Sequence, residues 1–167
     1  MILRKAKQSE LQTIWEIIQY AIEQRRADGS DQWQNGYPNK TTIQEDLDAG
    51  YAYVLDDDGV VLVYAAIIFG KEEAYENIDG KWLTNGDYAV LHRVAASPKA
   101  KGKKAGSKLF QLTEALCKDN NIYSIKVDTN FDNGPMLKVL ENLNYTYCGE
   151  VFFQNAPRKA FEKVLPK

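Results

Sequence analysis

Hydrophobic positions along the first third of the chain change from strand spacing to helical spacing. Residues 2–6 predict a short strand, and Ser9 is expected to cap the helix that follows. The apolar face of this helix is Leu11, Ile14, Trp15, Ile18 and Ile22. A second, shorter helix is predicted near 42–49. The pattern therefore predicts a strand followed by two helices.

Two apolar runs, 52–55 and 60–69, predict a pair of strands. Asp56, Asp57, Asp58 and Gly59 join them, and these residue types tolerate the positive φ of a hairpin turn. No partner carboxylates lie at calcium-loop spacing, so the three aspartates are interpreted as turn residues rather than metal ligands.

A polar excursion over 71–87 separates this hairpin from a strand predicted at 88–96. The remaining pattern predicts a helix at 104–120, a strand at 124–129, a helix at 133–143 and closing antiparallel strands at 146–153 and 159–165. The alternation predicts an α/β (α+β) protein, and the 167 residues fit one domain over 1–167 with a sizeable core.

The charge balance is 21 basic against 23 acidic residues, a formal net charge of −2. Such a chain lacks the broad positive field on which nucleic-acid binding depends, so no nucleic-acid partner is expected. Cys117 and Cys148 form no metal or redox motif, which favours a reducing, cytoplasmic setting without a metal. No signal core begins the chain, and its longest apolar run is about half of a bilayer span, so no membrane partner is expected.

The most informative segment runs from Leu91–Pro98 into Lys101–Phe110 and predicts a strand, a basic glycine-bearing turn and a helix. Amides at a helix start, with lysines around them, suit phosphate oxygens. The segment lacks the G-x-x-x-x-G-K-[ST] string, and Gly102 and Gly106 do not make G-x-G-x-x-G. A phosphorylated cofactor is therefore expected here, and a merely solvated lysine-rich turn is the alternative.

This turn resembles the pyrophosphate loop of the GNAT superfamily of acetyl-CoA-dependent N-acetyltransferases, whose pattern is R/Q-x-x-G-x-G/A. Lys101 stands at the R/Q position, Lys104 at the first glycine and Gly106 at the last. A second GNAT pattern, N-x-x-A/M-x-x-L-Y-E-K-x-G-F, is matched by Asn133 and Met136. The order of predicted elements is also the GNAT order. Four short segments resemble small bacterial members of the family: Trp33…Gly36-Tyr37-Pro38, Trp82-Leu83, His92-Arg93-Val94-Ala95 and Tyr147-Cys148-Gly149.

The resemblance implies a GNAT-type mixed central sheet with helices on both faces and a splayed strand pair that holds acetyl-CoA. It implies that the main chain of Val94 and Ala96 holds the pantetheine arm, with Asn133 nearby. The pyrophosphate would lie on the amides of Lys101, Gly102, Lys103, Lys104, Ala105, Gly106 and Ser107.

Transfer to an amine requires a proton acceptor, because an alkylammonium with a pKa near 10.4 is almost fully protonated at neutral pH. His92 is the only histidine, on the strand that borders the thioester in the family, and histidine suits this role. Asp128 ends the next predicted strand and is the second candidate. A hydrogen-bonded structural histidine and a helix-capping aspartate are the alternatives, and strict alternation would put His92 on the face of Tyr88, Val90 and Val94.

The acceptor side is expected to hold Arg93, for an acceptor carboxylate, with an ion pair to Asp128 as its alternative. Aromatic residues of the polar segments 28–40 and 71–87 are expected to line it, or else to fill gaps over the core: Trp33, Tyr37, Tyr75 and Trp82. Leu140 occupies the position at which many family members have the tyrosine that protonates the thiolate. Cys148 is the only thiol near enough in the pattern for covalent catalysis, and buried thiols are usually inert.

The expected function is acetyl transfer from acetyl-CoA to an amine of a small molecule or amino acid, by direct attack in a ternary complex. A non-catalytic acyl-CoA-binding or regulatory domain is the alternative, because of Leu140 and Lys104. A plain interaction module without a cofactor is the third. Homodimers are frequent in the resembled family, so a homodimer is among the expected partners.

Overall fold

The computed structural model describes residues 1–167 and contains eight strands and four α-helices. The strands are β1 (Ile2–Lys5), β2 (Ala52–Asp57), β3 (Val60–Phe69), β4 (Asp79–Gly80), β5 (Ala89–Ala96), β6 (Ser124–Thr129), β7 (Thr146–Phe153) and β8 (Ala156–Val164). The helices are α1 (Leu11–Ala27), α2 (Lys40–Ala49), α3 (Ala105–Asp119) and α4 (Gly134–Asn142). None of these helices has both the length and the apolar character needed to cross a membrane.

The strands form one sheet in the order β1-β2-β3-β5-β6-β8-β7-β4. The β5–β6 pair is parallel, whereas the β1–β2, β2–β3, β6–β8, β7–β8 and β4–β7 pairs are antiparallel. The mixed α/β sheet predicted from the sequence is confirmed. The element order also agrees, except that the two-residue strand β4 lies within the excursion predicted as irregular.

The chain divides into two compact units. The first unit is Met1–Ile67 with Arg93–Leu112, and the second is Ile68–His92 with Thr113–Lys167. The single domain over 1–167 stays a prediction.

The core of the first unit forms where α1 and α2 cover β2 and β3. Ile14 and Ile18 are fully buried against Ile43 of α2, Val54 of β2 and Tyr64 of β3. The other members of the predicted apolar face of α1, Leu11, Trp15 and Ile22, pack at the edge of this core. The predicted helical face is therefore confirmed.

The start of α1 differs from the prediction that Ser9 caps it. A 3-10 turn over Gln8–Glu10 precedes α1, and the Glu10 carboxylate accepts the Lys7 amide at 2.8 Å. Arg4 donates to the same carboxylate at 2.8 Å, which fixes the turn. An ionised carboxylate bound by a guanidinium makes stronger hydrogen bonds than a hydroxyl does, and it replaces the predicted cap.

The core of the second unit lies between the excursion over 71–87 and one face of β5 to β8. Its buried members are Tyr75, Tyr88, Val90, Val151 and Ala160. Strand β4 adds to this sheet because Gly80 and Gly149 approach closely, at φ values of 142° and 137°. A Cβ on either glycine would overlap the backbone of the other strand, so this pairing requires both glycines.

Candidate functional site

His92 lies between two carboxylates in the second unit. Its Nε2 is 3.2 Å from Glu72 Oε2, and its Nδ1 is 3.8 Å from Asp128 Oδ2. The side chains of His92 and Asp128 are 15% and 6% exposed, so solvent screens this group only weakly. The hydrogen bond to Glu72 assigns the ring proton to Nε2, which leaves the lone pair on Nδ1 directed at Asp128.

Tyr75 fixes the position of Asp128. The fully buried phenol donates to Asp128 Oδ2 at 2.6 Å, and burial together with the nearby Asp128 charge raises the pKa of Tyr75 well above its usual value. Tyr75 is therefore a permanent donor at neutral pH. The rings of Tyr75 and His92 also pack together, with 6.1 Å between their centroids.

The strand register explains why His92 and Asp128 meet. The parallel pairing of β5 with β6 runs from Ala89–Ile125 through Val90–Lys126 and ends at Leu91–Val127. His92 and Asp128 are the next residues on each strand, and by alternation they share the face of Val90 and Lys126. This is the face of the buried core that contains Tyr88 and Val90, as the alternation of the sequence indicates.

Buried charges hold the excursion on this face. The fully buried Glu162 of β8 accepts the Leu83 amide at 2.8 Å and the Ser124 hydroxyl at 2.7 Å. Lys126 places its Nζ 4.5 Å from the Trp82 ring and 4.0 Å from the Tyr88 ring, and its burial lowers its pKa. Trp82 also donates its indole N–H to the Tyr75 carbonyl at 2.8 Å. These contacts hold the excursion, and with it Tyr75, against the core of the second unit.

Arg93 makes an internal ion pair in the first unit, and the predicted alternative partner, Asp128, is wrong. The guanidinium donates to Asp46 through Nε at 2.9 Å and Nη2 at 2.6 Å, and through Nη1 to the Tyr37 hydroxyl at 2.8 Å. Asp46 also accepts the Tyr64 hydroxyl at 2.6 Å. Because Arg93 has φ 55°, the strand alternation is broken at this residue, which the sequence pattern did not show.

The two aromatic residues of the 28–40 segment have different surroundings. Tyr37 is 45% exposed and is held through its hydroxyl by Arg93. Trp33, with φ 63°, packs against the α1–α2 core. Trp33 is thus a packing residue in the first unit, whereas the exposed Tyr37 ring is available to a ligand.

The basic turn before α3 presents unpaired amides and exposed lysines. The first helical bond runs from the Lys108 amide to the Lys104 carbonyl, so the amides of Ala105, Gly106 and Ser107 precede it. Lys103 bonds Asp57 at 3.3 Å. Lys104, where the resembled pattern has glycine, has the left-handed φ of 53° that glycine favours. Amides, cations and conformation fit a pyrophosphate group.

The residues expected to hold the pantetheine arm differ in their main-chain and side-chain hydrogen bonds. Val94 and Ala96 lie beyond the last β5–β6 pair, so their main chain does not pair with β6. Asn133 caps α4 by accepting the Met136 amide at 3.3 Å, which gives it a structural role at the helix start.

Leu140 supplies no proton donor, and neither cysteine is a reactive thiol. Leu140 is fully buried in α4. Burial raises the pKa of Cys148, and it raises the pKa of Cys117 to about 12, so both stay protonated thiols at neutral pH.

Two surface cavities lie away from these groups. The larger, of about 410 Å³ in the first unit, is lined by α1, the turn at Gly59 and the segment Ser97–Lys99. The smaller, of about 200 Å³ in the second unit, is lined in part by Phe69–Lys71 and Gly86–Tyr88. Neither is lined by a residue predicted to bind or react.

Sequence reasoning missed Glu72 and Arg158. Glu72 lies in the polar excursion among other acidic residues, and nothing in the sequence distinguishes it from them. Arg158 lies one residue before the strand predicted at 159–165. Arg158 Nε is 4.0 Å from Asp128 Oδ1. The two residues meet because β8 pairs with β6, a long-range pairing that local sequence patterns do not contain. The turn-forming Asn155, directly before Ala156, was the available signal for an earlier start of β8.

The chain is similar to known acetyltransferases in sequence and in fold. Residues 13–145 match the model of the acetyltransferase (GNAT) family. A GNAT-family acetyltransferase of Streptococcus agalactiae is 35% identical, with a TM-score of 0.89 over 99% of this chain and 95% of that one. No curated protein matches the sequence at a significant level.

More distant structures share the fold. A GNAT-family acetyltransferase of Listeria monocytogenes is 15% identical, with a TM-score of 0.77 over 98% of this chain and 94% of that one. The yncA protein of Salmonella typhimurium, solved with its cofactor acetyl-CoA, is 16% identical, with a TM-score of 0.70 over 100% of this chain and 95% of that one. The family match covers most of the chain, and the chain therefore belongs to the acetyltransferase (GNAT) family.

Proposed function

We propose that this protein is an N-acetyltransferase that moves the acetyl group of acetyl-CoA to an amine of a small molecule or amino acid. The observation that carries this proposal is the position of His92, with a carboxylate within 4.0 Å of each ring nitrogen. A proton placed on Nδ1 would face Asp128, and the proton on Nε2 already faces Glu72. The ring is thus arranged to receive the proton that an attacking amine must lose.

We assign the base to His92 and a positioning role to Asp128. One oxygen of Asp128 accepts the Tyr75 hydroxyl, and the other faces the Arg158 cation. Both oxygens are thus occupied by contacts within the chain, which suits a residue that orients the His92 ring. No donor is directed at Nδ1 of His92, so this atom is the better proton acceptor.

The thioester supplies an acetyl carbonyl already activated for attack. The acceptor nitrogen forms the new C–N bond, the C–S bond breaks, and His92 takes the nitrogen's proton. The leaving thiolate takes a proton from solvent, since Leu140 offers none. Protonated Cys148 and Cys117 make an acyl-enzyme route unfavourable, which supports direct attack in a ternary complex.

The residues that would hold the cofactor are those of the turn before α3 and the end of β5. The amides of Ala105, Gly106 and Ser107 and the ammonium groups of Lys101 and Lys104 would bind its phosphates. The main chain of Val94 and Ala96, unpaired with β6, would bind the pantetheine arm. A cytoplasmic location and a homodimer stay predictions.

The test is an isothermal titration of the protein with acetyl-CoA, followed by release of free thiol across a panel of amines. We expect micromolar binding that is lost in Gly106→Trp, which fills the turn, and kept in Gly86→Trp, where a side chain meets open space. Thiol release with at least one amine class would support the proposal. Binding without release across the panel would contradict it.

A non-catalytic acyl-CoA-binding domain is the second candidate. It is favoured by Leu140, which is fully buried where many family members present a hydroxyl. Binding of acetyl-CoA with no turnover would support this candidate. The absence of binding at millimolar ligand would contradict both.

A further inference from the structure

Arg158 is a guanidinium without a hydrogen-bond partner beside the proposed base. Its side chain is 22% exposed, and its Nε is buried and unbonded. The nearest acidic oxygen, Asp128 Oδ1, is 4.0 Å away, an ion-pair distance too long for a hydrogen bond. The Phe153 ring lies 5.8 Å from the guanidinium carbon. A buried donor left unpaired is unfavourable, and an anion could satisfy it.

The other arginines are bonded within the chain. Arg93 uses three nitrogens on Asp46 and Tyr37, and Arg4 donates to Glu10 and Asp56. Arg25 and Arg26 each bond a carboxylate near them in sequence. Arg25 keeps one buried nitrogen, Nη1, without a partner, but Arg158 is the arginine that makes no hydrogen bond within the chain.

The surroundings of Arg158 select among anions. Asp128 and Glu72 place two negative charges around His92, which would repel a doubly charged phosphate. A ligand that joins an ammonium to a single carboxylate would match both charges. In an α-amino acid the nitrogen and the carboxyl carbon are about 2.5 Å apart, from ordinary bond lengths and angles. The groups that would bind them are also close together, with 4.0 Å between Arg158 Nε and Asp128 Oδ1.

We infer that the acceptor is an amine with a carboxylate next to its reacting nitrogen, as in a free α-amino acid, and that Arg158 binds this carboxylate. The inference rests on the proposed function and names its substrate class. Arg158 thus takes the role that the sequence suggested for Arg93, which is occupied by Asp46. The amine would lie toward His92 and Asp128, and the side chain of the amino acid stays unspecified.

The experiment compares three sets of acceptors in the acetyl-CoA-loaded protein: free amino acids, their amides and their decarboxylated amines. Each is assayed with wild type, Arg158→Met, Arg158→Lys and the control Lys159→Met. Lys159 is the next residue of β8 and contacts the Phe131 ring, so its loss removes an equal charge elsewhere. Thermal melting of each variant checks that it is folded.

A binding readout runs beside the assay. Because His92 is the only histidine, its ring gives a single pair of NMR signals close to the proposed carboxylate site. Each acceptor set is titrated while these signals are followed in wild type and in the three variants. This readout reports binding even where no acetyl group is transferred.

We expect kcat/KM for a free amino acid to fall about 100-fold in Arg158→Met, less in Arg158→Lys and not in Lys159→Met. The amide and the decarboxylated amine should be poor acceptors that Arg158→Met does not weaken further. Equal use of amino acids and decarboxylated amines by wild type would overturn the inference and leave the proposed function standing. Amino-acid binding at His92 that needs Arg158, without turnover, would support the carboxylate site and overturn the proposed function. Absence of both binding and turnover with amino acids would overturn the inference.

Discussion

His92 Nδ1 lies 3.8 Å from Asp128 Oδ2, although the two strands that carry these residues pair only as far as Leu91 and Val127. The contact thus forms one residue beyond the last parallel pair of β5 and β6. Ligand sites in α/β sheets lie preferentially at the carboxyl ends of strands, and Asp128 occupies such an end. The two residues hold their positions through Glu72 and Tyr75, which approach from the excursion.

Replacement of His92 by Gln tests its role as the base. The amide can still donate to Glu72, but it cannot take up a proton at the position of Nδ1. We expect kcat to fall by about 10²- to 10⁴-fold, with acetyl-CoA affinity unchanged. The wild-type rise of kcat/KM with pH should become shallower in His92→Gln, because only the deprotonation of the amine itself remains. Initial rates of thiol release from pH about 5 to pH about 9 measure this.

Asp128→Asn is the matched comparison, because the amide oxygen can still accept the Tyr75 hydroxyl. A positioning residue should lower kcat yet leave the pH dependence in place. If the rise with pH became shallower in Asp128→Asn and stayed unchanged in His92→Gln, the two roles would have to be exchanged.

Cys148→Ala tests direct attack. Burial raises the pKa of this thiol, so little thiolate is present at neutral pH, and the change should leave kcat unaltered. Intact-protein mass spectrometry after mixing with acetyl-CoA alone should show no acetyl adduct. An adduct in wild type that disappeared in Cys148→Ala would establish an acyl-enzyme and contradict the proposed chemistry.

Lys104→Gly tests the strain in the turn before α3. Lys104 has φ 53°, a conformation that costs a residue with a side chain about 1 kcal/mol and glycine little. The free energy of unfolding, measured in urea, should therefore rise by about this amount. Lys101→Gly is the control, since Lys101 has φ −57° and gains nothing from glycine. An equal gain in both variants would refute the strain argument.

The elements that the sequence predicted well are those with local signals. The hairpin at Asp58 and Gly59 adopts the positive φ values that these residue types favour, and the helical face of Ile14 and Ile18 is fully buried. The bounds of β3, β6 and β7 also agree, because each apolar run ends at a turn or a polar segment. Local periodicity and turn chemistry suffice in these cases.

The candidate site was predicted only where a residue type is rare or lies at a strand end. His92 is the only histidine and Asp128 lies near the carboxyl end of a strand, so both could be named from the sequence. The partners of Arg93 and Arg158 depend on long-range packing and strand register, which local patterns do not contain. Asp46 reaches Arg93 from α2, and its place in an ordinary amphipathic pattern gave no sign of this contact.

Arg4→Met tests the electrostatic link between β1, the turn before α1 and the β2–β3 hairpin. Hydrogen bonds from Arg4 are the largest cause that lowers the pKa of Glu10 and of Asp56. Carboxyls with lowered folded-state pKa values stabilise the fold above their ordinary pKa of about 4, and this contribution is lost as pH falls through the lowered values. Urea unfolding should therefore show the largest difference between wild type and Arg4→Met at neutral pH, shrinking in acid. The exposed Lys40→Met serves as the control, and a difference that stayed constant down to pH about 2 would contradict the link.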